Sequence, residues 1–219
     1  VILILWEKMQ LKDIVGELQT IYNSKLAEDW DNVGLLVGNE NTDINTILLC
    51  LDITEEVVDR AVKENADLII SHHPFIFSGL KKITSETVHG RKILKLIENK
   101  IAVYSGHTNV DFGINGLNDY IFYKLDLNGK VEIYNEFEYE DYNFIKHRNE
   151  HVKGGTVRIK ILDHEIELTN LIRIIKEKLG LDFVRYVGEN RKIRKIGLVT
   201  GGGSSFMHSA KENIDVFLT

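Results

Sequence analysis

The fold of this chain is decided by the stretch Leu68-Ile69-Ile70-Ser71-His72-His73-Pro74 and its counterpart Ile101-Ala102-Val103-Tyr104-Ser105-Gly106-His107-Thr108-Asn109-Val110-Asp111. Each stretch begins as an apolar run with the length of a buried strand and ends in residues that bind metals. Parallel sheets of α/β proteins place their functional groups just beyond the carboxyl ends of their strands. We therefore expect the side chains at these two ends to meet at one edge of a sheet.

Four of these side chains form the candidate metal site, namely His72, His73, His107 and Asp111. Consecutive residues of an extended strand point to opposite faces, so His72 and His73 favour two neighbouring ions unless the chain bends sharply. His107 and Asp111 are four residues apart and can face a common centre if their segment coils into a helical turn. Imidazole and carboxylate together suit two divalent ions of zinc, iron, manganese, nickel or cobalt. We interpret the other histidines as ordinary surface residues.

Strand and helix signals alternate through the first part of the chain. Apolar runs at residues 47–51, 68–71 and 101–104 predict buried strands, and helical periodicity follows Thr54 and recurs near residues 87–99. This order is typical of a βαβαβ unit, in which the strands are parallel and the crossovers right-handed. Asp52 ends the first of these strands, so we expect it at the same edge, supporting a ligand rather than binding the metal.

We divide the chain into two domains preceded by a short extension. Residues 1–8 are the extension, and residues 9–125 are the α/β domain that carries the amino-terminal metal ligands. Residues 126–219 form a second, α+β domain, with alternating apolar residues early on and strands predicted at 183–187 and 194–200. The strand predicted at 215–219 stops without a following loop, from which we expect this domain to be truncated at its carboxyl end.

A glycine-rich loop follows the strand predicted at 194–200. Its sequence is Gly201-Gly202-Gly203-Ser204-Ser205, and a helix is predicted after it at residues 206–213. Backbone amides of Gly201, Gly202, Gly203 and Ser204 can receive the phosphate of a substrate, and a tight strand-to-helix turn explains the loop equally well. Lys81-Lys82 is a second candidate for a phosphate contact.

Composition excludes several classes of protein. The 219 residues carry a net charge of −6, which argues against general nucleic-acid binding because such proteins need a basic surplus. Cys50, the single cysteine, lies in an apolar run and indicates a reducing compartment. No stretch resembles a secretory signal or a membrane span, so we expect a cytoplasmic protein without a membrane partner.

Four motifs together resemble those of the NGG-interacting-factor-like family of dinuclear metal-binding proteins, members of which are named GTP cyclohydrolase 1 type 2 homologues. They are Glu28-Asp29-Trp30-Asp31-Asn32-Val33-Gly34, Ile70-Ser71-His72-His73-Pro74, His107-Thr108-Asn109-Val110-Asp111 and Gly201-Gly202-Gly203-Ser204-Ser205. The likeness extends from Met9 to Thr219. It implies a two-domain subunit of a toroidal homohexamer, in which His72 and His73 each serve one of two metal ions. A further histidine and a glutamate ligand are implied beyond Thr219.

The resemblance implies a metal-dependent hydrolase that opens the purine ring of GTP or of a related nucleotide. A metal-activated water would be the nucleophile, so no catalytic side chain is assigned. Two alternatives stay open. One is a dinuclear phosphoesterase that acts on a nucleotide or another small phosphorylated molecule. The other is a non-catalytic metal-binding adaptor or regulatory protein, since a fold does not by itself imply a function.

Overall fold

The computed structural model describes residues 1–143 and 146–219, with the backbone alone at residues 6 and 7. The chain divides into two units, one comprising Val1–Val110 with Glu140–Val152 and the other Asp111–Tyr139 with Lys153–Thr219. The domain boundary after residue 125 stays a prediction. The units divide earlier, at Asp111, because the apolar side chains around Phe122 pack into the core of the second unit.

The first unit contains a mixed sheet. Its strands are β1 (Ile2–Gln10), β2 (Gly34–Val37), β3 (Asp43–Cys50), β4 (Leu68–Ser71) and β5 (Ala102–Ser105), in the spatial order β1-β3-β4-β5-β2. Strands β3, β4 and β5 are parallel, which confirms the predicted βαβαβ unit. The edge strands β1 and β2 pair antiparallel with β3 and β5, an addition that the sequence pattern does not predict. Residues 2–8, which we predict to be an extension, are part of β1.

Helices cover both faces of this sheet. They are α1 (Leu11–Ile21), α2 (Glu55–Lys63) and α3 (Val88–Glu98). Alternate strand residues form two cores: Leu48, Ile69 and Val103 pack with α2 and α3, while Leu68 and Ala102 pack with α1. Such short parallel strands read as continuous apolar runs because both faces are buried.

The second unit is built on another sheet. Its strands are β6 (Gly129–Asn143), β7 (Arg148–Glu167), β8 (Lys192–Leu198) and β9 (Val216–Leu218), in that spatial order. Its helices are α5 (Leu117–Leu125), α6 (Leu168–Leu179) and α7 (Met207–Ala210), and α4 (Thr108–Phe112) crosses the division between the units. Apolar side chains of α5 and α6 pack against β8. Short 3-10 turns occupy Ser24–Leu26, Gly203–Phe206 and Lys211–Asn213.

One expectation for this part of the chain is wrong, and another is confirmed only in part. Residues 183–187 form no strand, and their large side chains Phe183, Tyr186 and Val187 are exposed. The segment 206–213 is helical, but only α7 within it is α-helix, because 3-10 turns flank α7 on both sides. Gly203, Ser204 and Ser205, which precede the segment, have low helix propensity, which favours a turn there.

The β6–β7 pair extends into the first unit. Only four residues separate these neighbouring strands, so they form a hairpin. Its described end residues, 140–143 and 146–152, belong to the first unit, where Asn143 donates to the carbonyl of Gly16 on α1 at 3.2 Å. Lys146 forms an ion pair with Glu17 of the same helix at 2.9 Å.

Within the described residues, every helix falls short of the length and apolarity that a membrane crossing requires. The longest is α6, with 12 residues.

Arg158 lies fully buried in the second unit, where five hydrogen bonds satisfy its guanidinium. Two of them are a bidentate pair to the two carboxylate oxygens of Asp119, at 2.6 and 3.2 Å. The other acceptors are the backbone carbonyls of Phe112, Gly113 and Gly155. A buried arginine is tolerated only when its donors are satisfied in this way.

We expect Arg158→Leu to lower the free energy of unfolding by about 3–5 kcal/mol, because it leaves a carboxylate and three carbonyls without their donor. Urea titration followed by circular dichroism measures the change. The matched control is Arg173→Leu, whose exposed arginine pairs with Glu177 at 2.7 Å and is expected to contribute no more than about 0.5 kcal/mol. Equal losses in the two variants would contradict the assignment.

Cys50 ends β3, and its burial raises the pKa of its thiol to about 11. Only the thiolate reacts with thiol reagents, so a raised pKa slows labelling near neutral pH. We expect an aromatic disulfide reagent at pH 8 to modify Cys50 slowly in the folded protein and rapidly in concentrated urea. Fast labelling of the folded protein, by stopped-flow absorbance, would show that the thiol is not held in this environment.

Candidate metal centre

The candidate site begins with the register of the parallel strands. Ser71 of β4 is level with Cys50 of β3 on one side and with Ser105 of β5 on the other. The backbone ladder continues one step further, because the amide of His72 donates to the carbonyl of Cys50 and that of Gly106 to the carbonyl of Ser71. The residues that follow these strands therefore emerge at the same level of one sheet edge.

A buried pair of serines bends the chain after β4. The hydroxyl of Ser71 donates to the carbonyl of His73 at 2.9 Å, so the hydroxyl of Ser105 donates to that of Ser71, also at 2.9 Å. Ser105 in turn accepts from the amide of Phe75 at 3.3 Å. The segment of His72 and His73 is accordingly bent rather than extended.

Three imidazoles come together at this edge. Ligand nitrogens of His72, His73 and His107 all lie within 4.8 Å of one another, and the ring centroids are 5.2 to 5.7 Å apart. We call these residues the three-histidine site. The bend after Ser71 is the exception that the sequence argument allowed, and it brings His72 and His73 into one group. The strand geometry therefore gives no reason for two ions, and their number stays a prediction.

Each imidazole of the three-histidine site has its Nδ1 against an oxygen acceptor. His72 Nδ1 lies 3.0 Å from the carbonyl oxygen of Gly106, and His73 Nδ1 lies 2.7 Å from Oδ1 of Asp52. His107 Nδ1 lies 2.9 and 3.0 Å from the two carboxylate oxygens of Asp31. An acceptor at Nδ1 keeps the proton there and places the ring's lone pair on Nε2, which makes Nε2 the ligand atom.

Asp31 is the residue that orients His107, and only the family resemblance marks it in the sequence. Its side chain is fully buried and also accepts from the backbone amide and the hydroxyl of Thr108. Burial alone raises the pKa of Asp31, but the hydrogen bonds from His107 and Thr108 outweigh it and lower the pKa to about 2. The carboxylate is therefore ionised at neutral pH beside the imidazole.

Asp52 occupies the position that the sequence predicts, at the end of β3, and supports His73 through its carboxylate. This pair is more exposed than the pair of Asp31 and His107, since the Asp52 side chain retains 59% of its accessible surface. Solvent screens such a pair, so Asp52 holds its histidine less firmly than Asp31 does.

The turn that carries His107 is fixed by Asn109. The side chain of this fully buried residue accepts from the amide of His107 at 2.9 Å and donates to the carbonyl of Tyr22 at 2.8 Å. The next residues coil into α4, which provides the helical turn that we predict between His107 and Asp111.

Asp111 belongs to the second unit. The group of potential metal ligands within the described residues consists of the three histidines and does not include Asp111. The buried carboxylate of Asp111 accepts from the hydroxyl of Thr200 at 3.1 Å, and the backbone amide of Thr200 donates to Oδ1 of Asn118 at 2.8 Å. Asp111 remains a predicted metal ligand. Gly201, Gly202, Gly203 and Ser204 follow Thr200 and remain predicted substrate contacts; they lead into a 3-10 turn.

The donor set fits a transition metal. Neutral imidazoles suit zinc, iron, nickel and copper, and three protein ligands with a remaining open position are the pattern of catalytic zinc sites. The oxygen acceptors at Nδ1 are the outer partners that metal-binding histidines usually have. The three-histidine site can therefore hold a metal ion through Nε2 of each ring.

We expect Asp31→Asn to weaken zinc binding about 10- to 100-fold, because an amide orients and polarises the imidazole of His107 less well than a carboxylate does. Competition with a chromophoric chelator measures the affinity. Asp29→Asn removes the same charge from an exposed residue of the same loop and is the control, with affinity expected to stay within about twofold of the parent chain. An unchanged affinity in Asp31→Asn would contradict the assignment of Asp31 as the residue that orients a metal-binding His107.

Comparison with known proteins places the chain in a family. The model of the family Duf34/NIF3 (NGG1p interacting factor 3) matches residues 9–219. A protein of Clostridium perfringens named GTP cyclohydrolase 1 type 2 homolog is 38% identical over 213 residues, which cover 96% of this chain and 77% of that protein. Protein NIF3 homolog of Schizosaccharomyces pombe is 33% identical over 216 residues, covering 96% and 74%.

A solved structure supports the same relationship. The Staphylococcus aureus hypothetical protein SA1388 superposes with a TM-score of 0.81 at 30% sequence identity, covering 96% of this chain and 78% of that one. The family match, the sequence relatives and this structure agree over nearly the whole chain. The chain therefore belongs to the Duf34/NIF3 (NGG1p interacting factor 3) family.

Proposed function

We propose that this protein is a metal-dependent hydrolase that opens the purine ring of GTP or of a related nucleotide. The observation that carries the proposal is the grouping of three imidazoles, each with its Nδ1 held by an oxygen acceptor. The name of the Clostridium perfringens relative supports GTP as the substrate.

His72, His73 and His107 would hold the metal, with Asp111 as a further proposed ligand. A bound divalent ion supplies a water whose pKa is lowered towards neutrality, together with charge stabilisation for the developing oxyanion. The family resemblance supports two ions per subunit and a toroidal hexamer of subunits in the cytoplasm, and we include both in the proposal.

The side chains of the chain itself perform the positioning. Asp31 stays ionised at neutral pH and holds the proton of His107 on Nδ1. Asp52 accepts from Nδ1 of His73 from a more exposed position. These carboxylates also offset the positive charge of a bound cation. The acceptor at Nδ1 of His72 is the uncharged carbonyl of Gly106 instead. Only two of the three imidazoles therefore have a carboxylate beside them.

The test is turnover by protein loaded separately with zinc, iron, manganese, nickel and cobalt. We expect conversion of GTP to the ring-opened formamidopyrimidine nucleotide, measured by chromatography, with a rate at least about 100-fold lower in His72→Ala because a ligand is missing. His164→Ala is the matched control, since His164 is exposed and is not one of the grouped histidines.

Other outcomes would contradict the proposal in distinct ways. Release of phosphate from nucleotides with the purine ring intact would identify a phosphoesterase. Metal bound by the parent chain and lost from His72→Ala, with no nucleotide consumed under any metal, would identify a metal-binding adaptor or regulatory protein. Equal rates in the two histidine variants would exclude the three-histidine site as the reaction centre.

A further inference from the structure

Two exposed aromatic side chains lie beside the three-histidine site. Trp30 precedes Asp31 in the loop ahead of β2, and Phe77 lies in the loop that follows His73. Their ring centroids are 5.9 Å apart with the planes inclined at 51°. Trp30 retains 58% of its accessible surface and Phe77 retains 53%. Large aromatic surfaces left this exposed and in mutual contact are typical of binding sites rather than of solvent-facing loops.

The aromatic pair adjoins the imidazoles directly. The ring of Trp30 lies 6.1 Å from that of His107, centroid to centroid, in an edge-on arrangement of 73°. Neither neighbour stacks on the indole face to face. More than half of the surface of Trp30 is therefore exposed beside His107, next to the atoms that would hold a metal.

Hydrogen bonds hold the aromatic pair in place before any ligand arrives. Asp31, next to Trp30, accepts from His107 and Thr108, which ties the Trp30 loop to the turn after β5. Asn32 donates to the carbonyl of Ile76, which ties the same loop to the segment that carries Phe77. The contacts that orient His107 thus hold the Trp30 loop, and Asn32 holds the Phe77 segment against it, so binding of a ligand to the two rings costs less ordering of these loops.

We propose that Trp30 and Phe77 form the surface that binds the planar base of a nucleotide at the three-histidine site. The inference rests on the proposed function for the choice of a nucleotide, and it adds the residues that recognise the base. Aromatic rings bind bases by offset stacking at centroid distances of about 4.5–7 Å. The base would lie against the indole while the reacting part of the ligand faces the imidazoles.

The test measures binding rather than turnover. The chain has two tryptophans, so Trp6→Phe leaves Trp30 as its single indole reporter. In zinc-loaded protein we expect GTP and ATP to quench this fluorescence and inorganic triphosphate to leave it unchanged, because only the nucleotides carry a base. Calorimetry on Trp30→Leu is expected to show GTP affinity reduced about tenfold, with triphosphate affinity and zinc content unchanged.

Conservative and independent variants complete the design. Trp30→Phe keeps a stacking face and is expected to stay within about threefold of the parent affinity, and Phe77→Leu is expected to weaken GTP binding less than Trp30→Leu does. Because zinc content is read separately, a folding or metal defect is recognised as such, and Phe77→Leu then tests the surface without changing Trp30.

Several results would overturn the inference. These are GTP affinity unchanged in both Trp30→Leu and Phe77→Leu, an equal loss of GTP and triphosphate affinity, or no binding of GTP or ATP to zinc-loaded protein. A change of assembly mass in Trp30→Leu by light scattering would assign the aromatic pair to a protein contact instead. Failure of the proposed function looks different, because nucleotides would then bind in a Trp30-dependent way without being consumed.

Discussion

The parallel register of β3, β4 and β5 is the constraint on which the candidate site depends. Crossover helices force these strands to run in one direction, and their last residues are level at the same sheet edge. The loops that follow therefore start within a few ångströms of one another, before any side chain is considered. A slip of one residue would turn His72 and His107 to other faces, because side chains alternate along a strand.

Hydrogen bonds from buried polar groups next to the site then orient the imidazole rings. The serine pair Ser71 and Ser105 bends the segment that carries His72 and His73, so both rings face the same side. Asp31 then holds His107 from below and fixes the loop that carries Trp30. One buried carboxylate thus orients a candidate metal ligand and holds the loop of Trp30, so the proposed metal and base sites share a single hydrogen-bonded residue.

The second unit also contains buried networks of hydrogen bonds, and these fix its backbone. Arg158 gathers a carboxylate and three backbone carbonyls around one guanidinium, and Thr200 connects the carboxylate of Asp111 to Asn118. Such networks are favourable only when every member is satisfied, so they specify one backbone arrangement around Asp111. Metal binding by Asp111 depends on the side chains that surround an ion, because a fold does not by itself imply a function.

The sequence by itself determined the parallel core, the helices on it and the histidines at its edge. Apolar runs and helical periodicity are local signals, and several histidines at neighbouring strand ends can be recognised from the sequence as candidate metal ligands. Only the tertiary structure decided the antiparallel edge strands, the bend after Ser71 and the role of Asp31. The pairing of β1 and β2 depends on neighbours distant in the chain, and Asp31 reaches His107 across 76 residues. Local sequence patterns do not reveal such contacts, because they depend on the packing and hydrogen bonding of residues that are far apart in the chain.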